Sequence, residues 1–521
     1  GQRKDSLFST TAQARIDFTV AERCFAEGSL TCDEASFTST DPSKYRIWYD
    51  TPADLRCAAG QKCWNASPSF FSRKRLDKIT TSAQRRADTS ARQVVDEYQL
   101  RQSFPVLLTG PNTALWLESI TRTGYGRNGT TDSKVTLNPV RFEPNPEDMP
   151  NRVRDDNRPG FSRLRIARVI NEYGGESIIT YKPPVGDCAT GIGLPGKDDT
   201  AALKANNRLC YPSFWHPDPA AEDIDWFHKY VVDSVEELPN VDGAFSIVTR
   251  YDYANPGWKL AEQEFTKKST RTYSQFAGFE QVTVLAGSDD PALGAKSTKS
   301  VTRYFRGMGD DVSVNDITGT EIAKDREPFA GRIAEELTYA DPGDADGNWL
   351  TRNVTYLEAR ELGRRERDDG LSPLRAWRVT EPRQVAYNKS SGTGGDPRTE
   401  RVVETKTTYE TTYGLPTHVE SLGDTGKTGD EFCTFLEYVH HPGKNIIGLT
   451  KQTRTSPTTC ASANFDDLTT LSSASRVAYD NQAYGVGLAD STRGLATQTW
   501  SLNGDGTGFQ SDGTVGFDSI G

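Results

Sequence analysis

Apolar and polar residues alternate with a period of two along much of the chain, which is the pattern of β-strands with two distinct faces. The clearest case is RVVETKTTYETTYGLPTHV, residues 401–419, where one alternating run ends at Tyr409 and a second extended run begins at Leu415. Gly414 falls in the turn between them, where glycine adopts a positive φ without steric cost. The pattern predicts a unit made of a strand, an aromatic-acidic turn, a glycine and a returning strand.

The same alternation predicts further strands and hairpins, with turn residues between the short runs. They are the strand Ala14–Val20, the hairpin Leu76–Ser82 with Val94–Phe104, the strand Leu115–Arg122, the hairpin Arg163–Val169 with Ser177–Tyr181, and the hairpin Tyr230–Leu238 with Ala244–Tyr253. Only Asp316–Glu336 and Thr355–Glu366 are long enough and regular enough to be considered as helices, and neither has an apolar stripe of period 3.6. We therefore expect an all-β chain of antiparallel hairpins.

The chain divides into a polar, cysteine-clipped N-terminal segment and a long β-sheet region. We place the first at residues 1–75 and the second at residues 76–521, with the largest irregular insertion at about residues 182–224, which are rich in Pro, Gly and Asp. Residues 141–160 contain four prolines, so we expect a surface crossing there rather than a packed element.

Composition changes this picture in one respect. Apolar residues make up 35% of the chain, which is low for a globular protein, whereas aromatic residues reach 10%, which argues against disorder. A thin sheet with two wet faces explains both values. The formal net charge of −11 repels phosphate backbones and argues against general nucleic-acid binding. No apolar run approaches the roughly 20 residues that a membrane helix needs, and no signal peptide is visible.

The eight cysteines fall into four local pairs: Cys24 with Cys32, Cys57 with Cys63, Cys188 with Cys210, and Cys433 with Cys460. This arrangement favours local disulfides and an oxidising compartment, with buried free thiols and metal ligands as the alternatives. Glycosylation triplets occur at Asn65, Asn128, Asn353 and Asn388, and they matter only in a glycosylating host.

The strand-turn unit recurs with loose spacing. The recurrences are Tyr273–Gly278, followed by the strand Val282–Val284, then Tyr479–Gly485, and finally Phe517–Gly521, where the sequence stops within a unit, so we expect a longer parent chain. This Tyr/Phe-Asp-x-x-Gly signature resembles the YD repeat of the RHS (rearrangement hotspot) family, which includes the shell components of toxin complexes. Three other stretches are similar to segments of large secreted actinobacterial RHS proteins: Asp225–Tyr230, Tyr304–Met308 and Thr412–Pro416.

The resemblance implies a specific architecture and function. In this family, antiparallel hairpins join edge to edge into a long spiralling sheet that forms a hollow shell, and the shell encloses a toxin or effector at the C-terminal end of the same chain. We expect this chain to be a non-enzymatic segment of such a shell, secreted or on the cell surface, with the enclosed toxin or effector, or another protein cargo, as its partner. The self-cleavage motif of the family is absent, since Asp341-Pro342 lacks the rest of that pattern.

Motifs for catalysis or cofactor binding are sparse, and we assign no catalytic, cofactor or metal residue. Among five histidines, we expect His440-His441 to be a solvated loop pair and His228 to be a packed, hydrogen-bonded core residue. Gly191–Gly196 matches a dinucleotide-binding pattern by letter only, because no strand precedes it. The acidic loops Asp341–Asn348 and Asn503–Gly508 contain calcium-type oxygen ligands, but turn geometry alone explains their composition.

Two other function classes remain open. An extracellular carbohydrate-binding or adhesive protein, with cell-surface glycans as its partner, would need a row of exposed aromatic side chains on a sheet face. The available tryptophans are Trp64, Trp116, Trp226 and Trp349. A polysaccharide-cleaving enzyme would need two carboxylates held in a groove, and the 72 acidic residues offer too many candidates to name a pair.

Overall fold

The computed structural model describes residues 12–57, 59–62, 70–84, 92–105, 114–128, 131–145, 149–154, 156, 158, 160–215, 223–288, 297–389, 399–490 and 492–517. The statements below concern these residues.

The chain is all-β, as the alternation predicts. The strands are β1 Ala14–Glu22, β2 Lys74–Ala83, β3 Gln93–Ser103, β4 Trp116–Asn128, β5 Thr131–Thr136, β6 Val140–Pro144, β7 Ile166–Ile170, β8 Glu176–Tyr181, β9 Cys210–Trp215, β10 Asp223–His228, β11 Val232–Leu238, β12 Ile247–Lys259, β13 Gln275–Gly287, β14 Thr298–Tyr304, β15 Gly309–Asn315, β16 Glu321–Asp325, β17 Ile333–Tyr339, β18 Trp349–Arg365, β19 Leu374–Lys389, β20 Glu400–Tyr409, β21 Pro416–Asp424, β22 Phe432–His441, β23 Ile446–Ser456, β24 Ser473–Tyr479, β25 Ala496–Leu502 and β26 Phe509–Thr514. Four short helices accompany them: α1 Glu34–Phe37, α2 Pro42–Tyr45, α3 Asp187–Thr190 and α4 Thr200–Lys204.

One antiparallel sheet of 22 strands contains all strands except two separate hairpins. The pairing follows chain order from β1 to β4, where β5 and β6 both pair with β4, and continues through β6, β7, β8, β11, β12, β13, β14 and β17. From β17 each strand pairs with the next as far as β26. The hairpins β9–β10 and β15–β16 are the exceptions. Successive pairing hides the strand edges that a single hairpin would leave open.

Part of this sheet is one layer thick. Strands β2, β3, β8, β13 and β20 contain no buried residue, so neither of their faces is fully covered. The chain exposes 30208 Å², about 1.6 times the roughly 18,800 Å² expected for a compact monomer of 57.5 kDa. An exposed area of this size is consistent with a thin, two-sided sheet and with the low apolar content.

A buried core forms where an insertion folds over the sheet. The hairpin β15–β16 covers the sheet near β18, with Phe305, Val314 and Val354 in its core. A second core lies around Trp226 and the Cys188–Cys210 disulfide, and a third around Trp48 in the N-terminal segment. Hydrophobic burial is therefore local, and the rest of the sheet depends on its hydrogen-bonded ladders.

Several sequence predictions are confirmed. The 401–419 unit is the hairpin β20–β21, with Gly414 at a φ of 75°. The strand predicted at Ala14–Val20 is β1, and Leu115–Arg122 lies in β4 apart from its first residue. The other three predicted hairpins are β2–β3, β7–β8 and β11–β12.

The two segments considered as helices are extended, in keeping with their missing apolar stripe: Asp316–Glu336 spans β16 and most of β17, and Thr355–Glu366 lies largely within β18. Two other predictions are wrong. Residues 141–160 are packed in part, since Met149 and Arg152 are buried. The Tyr273–Gly278 turn is absent, because Gly278 lies inside β13 and opposite Gly257, next to a register shift in its pairing with β12.

The described residues of the insertion predicted as irregular contain regular elements, namely α3, α4 and β9, and the chain continues into β10. We call residues 182–215 and 223–230 the insertion lobe. The N-terminal segment also contributes to the sheet, since β1 pairs with β2 across the boundary expected near residue 75.

Three disulfides connect Cys24 with Cys32, Cys188 with Cys210, and Cys433 with Cys460, as the spacing predicts. The fourth predicted pair includes Cys63, which lies outside the described residues. Disulfides of this kind are typical of proteins in an oxidising compartment, which fits a secreted protein. Among the described residues, no helix has the length and apolar character needed to span a membrane.

Candidate functional site

Tyrosine side chains connect successive strands of the sheet. Five tyrosine hydroxyls donate a hydrogen bond to a backbone carbonyl of the preceding strand in the sheet. The pairs are Tyr181 with Ile166 at 2.8 Å, Tyr253 with Val232 at 2.9 Å, Tyr409 with Glu381 at 3.3 Å, Tyr438 with Pro416 at 2.9 Å, and Tyr479 with Thr450 at 2.7 Å. Burial raises the pKa of Tyr181, Tyr253, Tyr438 and Tyr479. These tyrosines hold neighbouring strands together where no apolar core does so.

The acidic residue after two of these tyrosines organises the following turn. Glu410 accepts backbone hydrogen bonds from Tyr413 at 2.6 Å and Leu415 at 3.1 Å. Asp480 accepts from Gly494 at 3.0 Å, and also from the Thr492 hydroxyl. Burial opposes ionisation of both carboxyls, but these hydrogen bonds lower the pKa of each. Each of these tyrosines and the acidic residue after it therefore stabilise the end of a strand and the turn that follows it.

Sequence reasoning found only part of this set. Tyr409 and Tyr479 stood out because an acidic residue and a glycine follow them. Tyr181 and Tyr438 have no such continuation and were missed. Tyr181 is, however, the last residue of its strand, as are Tyr409 and Tyr479, and that position is a signal that could have found it.

A cavity lies between the insertion lobe and β12–β13, with a volume of about 580 Å³. Its wall includes His228, Lys229, Asn207, Tyr253 and Phe279. The Tyr253 and Phe279 rings lie 4.5 Å apart between centroids and form one apolar side. The cavity falls within the 300–1,000 Å³ range of small-molecule sites.

The ion pairs at this cavity leave one cation without a carboxylate. Lys182 bonds Asp233 at 2.8 Å and Asp252 at 3.0 Å, and Arg208 bonds Asp187 at 2.9 Å. Lys229 has no carboxylate partner among the described residues. Its ammonium lies 4.6 Å from the centroid of the Phe276 ring.

His228 differs from the hydrogen-bonded histidine that we expected. It is half-buried at the end of β10 and its backbone N–H donates to Asn151, but neither ring nitrogen has a partner in the described part of the chain, and Nδ1 is fully buried. Burial, with the nearby Arg165 guanidinium, lowers the pKa of His228 to about 4. The imidazole is therefore neutral at pH 7 and offers one unused donor and one unused acceptor.

The other histidine prediction is wrong. His440 and His441 are the last residues of β22, not a solvated loop. The Gly448 backbone N–H donates to His440 Nδ1 at 3.0 Å, and His441 Nε2 lies 3.2 Å from an Asp490 oxygen.

The glycine-rich and acidic motifs are turns. Gly191 ends α3 and Gly193 follows in a loop, both at positive φ, with no strand before them. Asp341 accepts from the Gly343 backbone N–H, and Asp505 accepts from that of Thr507. Within the described ranges, no group of three or more His, Cys, Asp and Glu side chains is arranged to hold a metal ion.

Among the described residues, the tryptophans available for a sugar-binding row do not form one. Trp226 and Trp349 are buried, and Trp116 is half-buried with its indole N–H donating to the Phe142 carbonyl. Trp64 lies outside the described residues. No protein-family model and no curated protein matches the chain.

Proposed function

We propose that the chain is a non-enzymatic segment of a secreted protein shell, whose wall is this one-layer sheet and whose parent protein encapsulates or delivers a toxin or effector. The observation that carries the proposal is the exposed area of 30208 Å² together with a sheet of 22 strands. A wall that separates an inside from an outside needs two solvated faces, whereas an enzyme or receptor domain of this size normally buries one face of its sheet.

The contacts between strands support the same function. Five tyrosine hydroxyls each join a strand to the one before it, and the disulfides Cys188–Cys210 and Cys433–Cys460 hold the loops that leave the sheet. Such contacts stiffen a sheet along its length without a second layer. The toxin or effector as the enclosed partner rests on the resemblance to RHS proteins.

Imaging of the protein by negative stain is the direct test. The proposal predicts a curved wall around an empty or protein-filled cavity. A solid rod or a string of separate compact domains contradicts it.

Face-specific labelling provides a second test. Gln99 and Arg122 are both exposed and lie on adjacent strands but on opposite faces, because Arg122 pairs with Tyr98 and Gln99 pairs with Thr121. We expect Gln99→Cys and Arg122→Cys to react equally with a small maleimide. With a bulky polymer-linked maleimide, the cysteine on the face that lines the interior of the shell should react much more slowly than the cysteine on the outer face. Equal rates with the bulky reagent contradict a closed wall, and the unsubstituted protein gives the background.

A further inference from the structure

The cavity beside the insertion lobe is built from groups that the shell function does not use. Hydrogen bonds and ion pairs satisfy Lys182, Arg208 and Asp187, so these residues shape the wall. His228, Lys229 and Asn207 also line the cavity, and their side chains have no hydrogen-bond partner in the described part of the chain. Asn207 is exposed and Lys229 is half-buried, so both polar groups are open to a ligand. Nδ1 of His228 is buried without a partner, which is uncommon in folded proteins, and Nε2 is the ring nitrogen that a ligand can reach.

Each unsatisfied group selects one feature of a ligand. The Lys229 ammonium is a cation without a counter-charge, which favours a carboxylate. A side-chain amide combines a donor with an acceptor, and the accessible Nε2 of the neutral His228 imidazole can donate or accept. Both groups match hydroxyl groups, which also donate and accept. The faces of Tyr253 and Phe279 offer an apolar surface for the C–H face of a saturated ring.

We propose that this cavity binds a small hydroxylated acid of the sugar-acid class, with Lys229 on the carboxylate, His228 and Asn207 on hydroxyls, and the ring against Tyr253 and Phe279. The volume of about 580 Å³ accommodates one or two sugar rings. Other anions lack the hydroxyls, and neutral sugars lack the charge. This binding site is independent of the shell proposed above, since the cavity lies within one lobe and its edge of the sheet.

Calorimetric titration at pH 7 with three probes tests the assignment. Glucuronate has the ring, the hydroxyls and the charge, glucose lacks the charge, and acetate lacks the ring. We expect glucuronate to bind at least about tenfold more tightly than either comparator. No binding of glucuronate at millimolar concentrations overturns the proposal, and so does acetate binding as tightly as glucuronate, because that result shows a general anion site.

Two lysine variants locate the binding. Lys229→Gln should weaken glucuronate binding about tenfold and leave glucose binding unchanged, because only the charge is lost. Lys204→Gln, on the exposed side of α4 in the same lobe and outside the cavity wall, should change neither. Equal affinity for glucuronate in the wild-type protein and in Lys229→Gln contradicts the role of Lys229.

A measurement on the wild-type protein avoids dependence on variant folding. The His228 ring resonances, assigned by their loss in His228→Gln, should shift on addition of glucuronate while those of His440 do not. Binding that shifts no His228 resonance places the ligand elsewhere and overturns the proposal. None of these readouts depends on particle shape. A failed titration would therefore contradict the sugar-acid site and not the shell, and a solid particle in images would contradict the shell and not the sugar-acid site.

Discussion

Two regions of the sheet have the same hydrogen-bonded ladder but differ in what covers them. The covered region lies around β14, β17 and β18, and the bare region lies around β2, β3 and β4. The first lies under the hairpin β15–β16 and contains residues such as Phe305 and Val354 that are almost wholly buried. The second has no covering element among the described residues and no buried side chain in β2 or β3. The same pattern of paired strands therefore occurs both with a buried apolar core and without one. The difference is whether an inserted hairpin covers the sheet.

Charged residues differ in the same way between the two regions. In the covered region, Arg352 donates to Glu335 at 2.6 Å and to Asp316, and all three side chains are buried. Burial raises the pKa of Glu335, against the opposing effect of Arg352. In the bare region, Lys78 bonds Glu97 at 3.0 Å with both side chains partly in solvent. Because Arg352, Glu335 and Asp316 are buried, we expect their ion pairs to be important for the stability of the covered region. The partly solvated pair of Lys78 and Glu97 should contribute little to the stability of the bare region.

The largest expected effect comes from the apolar core of the covered region. Phe305→Ala removes a fully buried ring that packs 5.3 Å from Phe329, and should cost about 3–5 kcal/mol of stability. Leu100→Ala in β3 should cost about 1 kcal/mol, because that side chain is half-buried. Amide hydrogen exchange in β14 and β3 measures the two regions separately. Equal losses would show that the bare region has a core that the burial pattern does not reveal.

A similar loss is expected from the buried charges. Arg352→Met leaves Glu335 and Asp316 without their cation, at a cost of about 3–5 kcal/mol. Lys78→Met, the matched change in the bare region, should cost below about 1 kcal/mol. Urea denaturation of both variants checks the contrast. A cost for Lys78→Met as large as that for Arg352→Met would contradict it.

The insertion lobe is a second covered region, and its stability should depend on pH through His228. The pKa of His228 falls from 6.5 to about 4 in the folded protein, so the unfolded chain binds a proton at a higher pH than the folded chain does. The contribution of the neutral His228 imidazole to the free energy of unfolding is therefore complete above pH 6.5 and is lost as the pH falls towards 4. It amounts to about 2 kcal/mol after allowance for partial solvation.

Denaturation of the wild-type protein and His228→Gln between pH 4 and 7 measures this contribution. Arg165, Lys229 and Tyr230 surround the imidazole. The difference between the pH profiles of the two proteins reports the loss of the His228 imidazole. Identical pH profiles would contradict the burial of the ring.

The smallest expected effect tests the tyrosine contacts. Tyr479→Phe removes the hydrogen bond to the Thr450 carbonyl and should cost about 1 kcal/mol, with exchange of the β24 amides accelerated. Tyr173→Phe, at an 82% exposed position, should change nothing measurable. If both variants behave alike, the tyrosine hydroxyls do not stabilise the sheet.

The sequence predicts the sheet far better than it predicts the covering elements. Strands such as β1, β20 and β21 follow from local alternation, which depends only on neighbouring residues. The four residues of α3 and the five of α4 are too short for a helical period, and they fold because the lobe packs around Trp226. Asp316–Glu336 has no apolar stripe of helical period because its apolar residues serve two different contacts, one within the hairpin β15–β16 and one in β17.

The candidate cavity could not be predicted because, like α3 and α4, it depends on how the lobe packs and not on a local sequence pattern. His228 and Lys229 come from the end of β10, Asn207 from the loop after α4, and Tyr253 and Phe279 from the main sheet. Only the folded lobe brings them together. The aromatic surroundings of His228 were visible in the sequence, but its missing hydrogen-bond partners were not.

Much of the sheet is a single layer with two solvated faces, and small-angle X-ray scattering tests this conclusion most directly. A compact chain of 521 residues has a radius of gyration of about 24 Å. The account predicts a clearly larger value and a pair-distance distribution skewed towards long distances. A radius near 24 Å with a symmetric distribution would show that the sheet is folded onto itself, and would contradict the account.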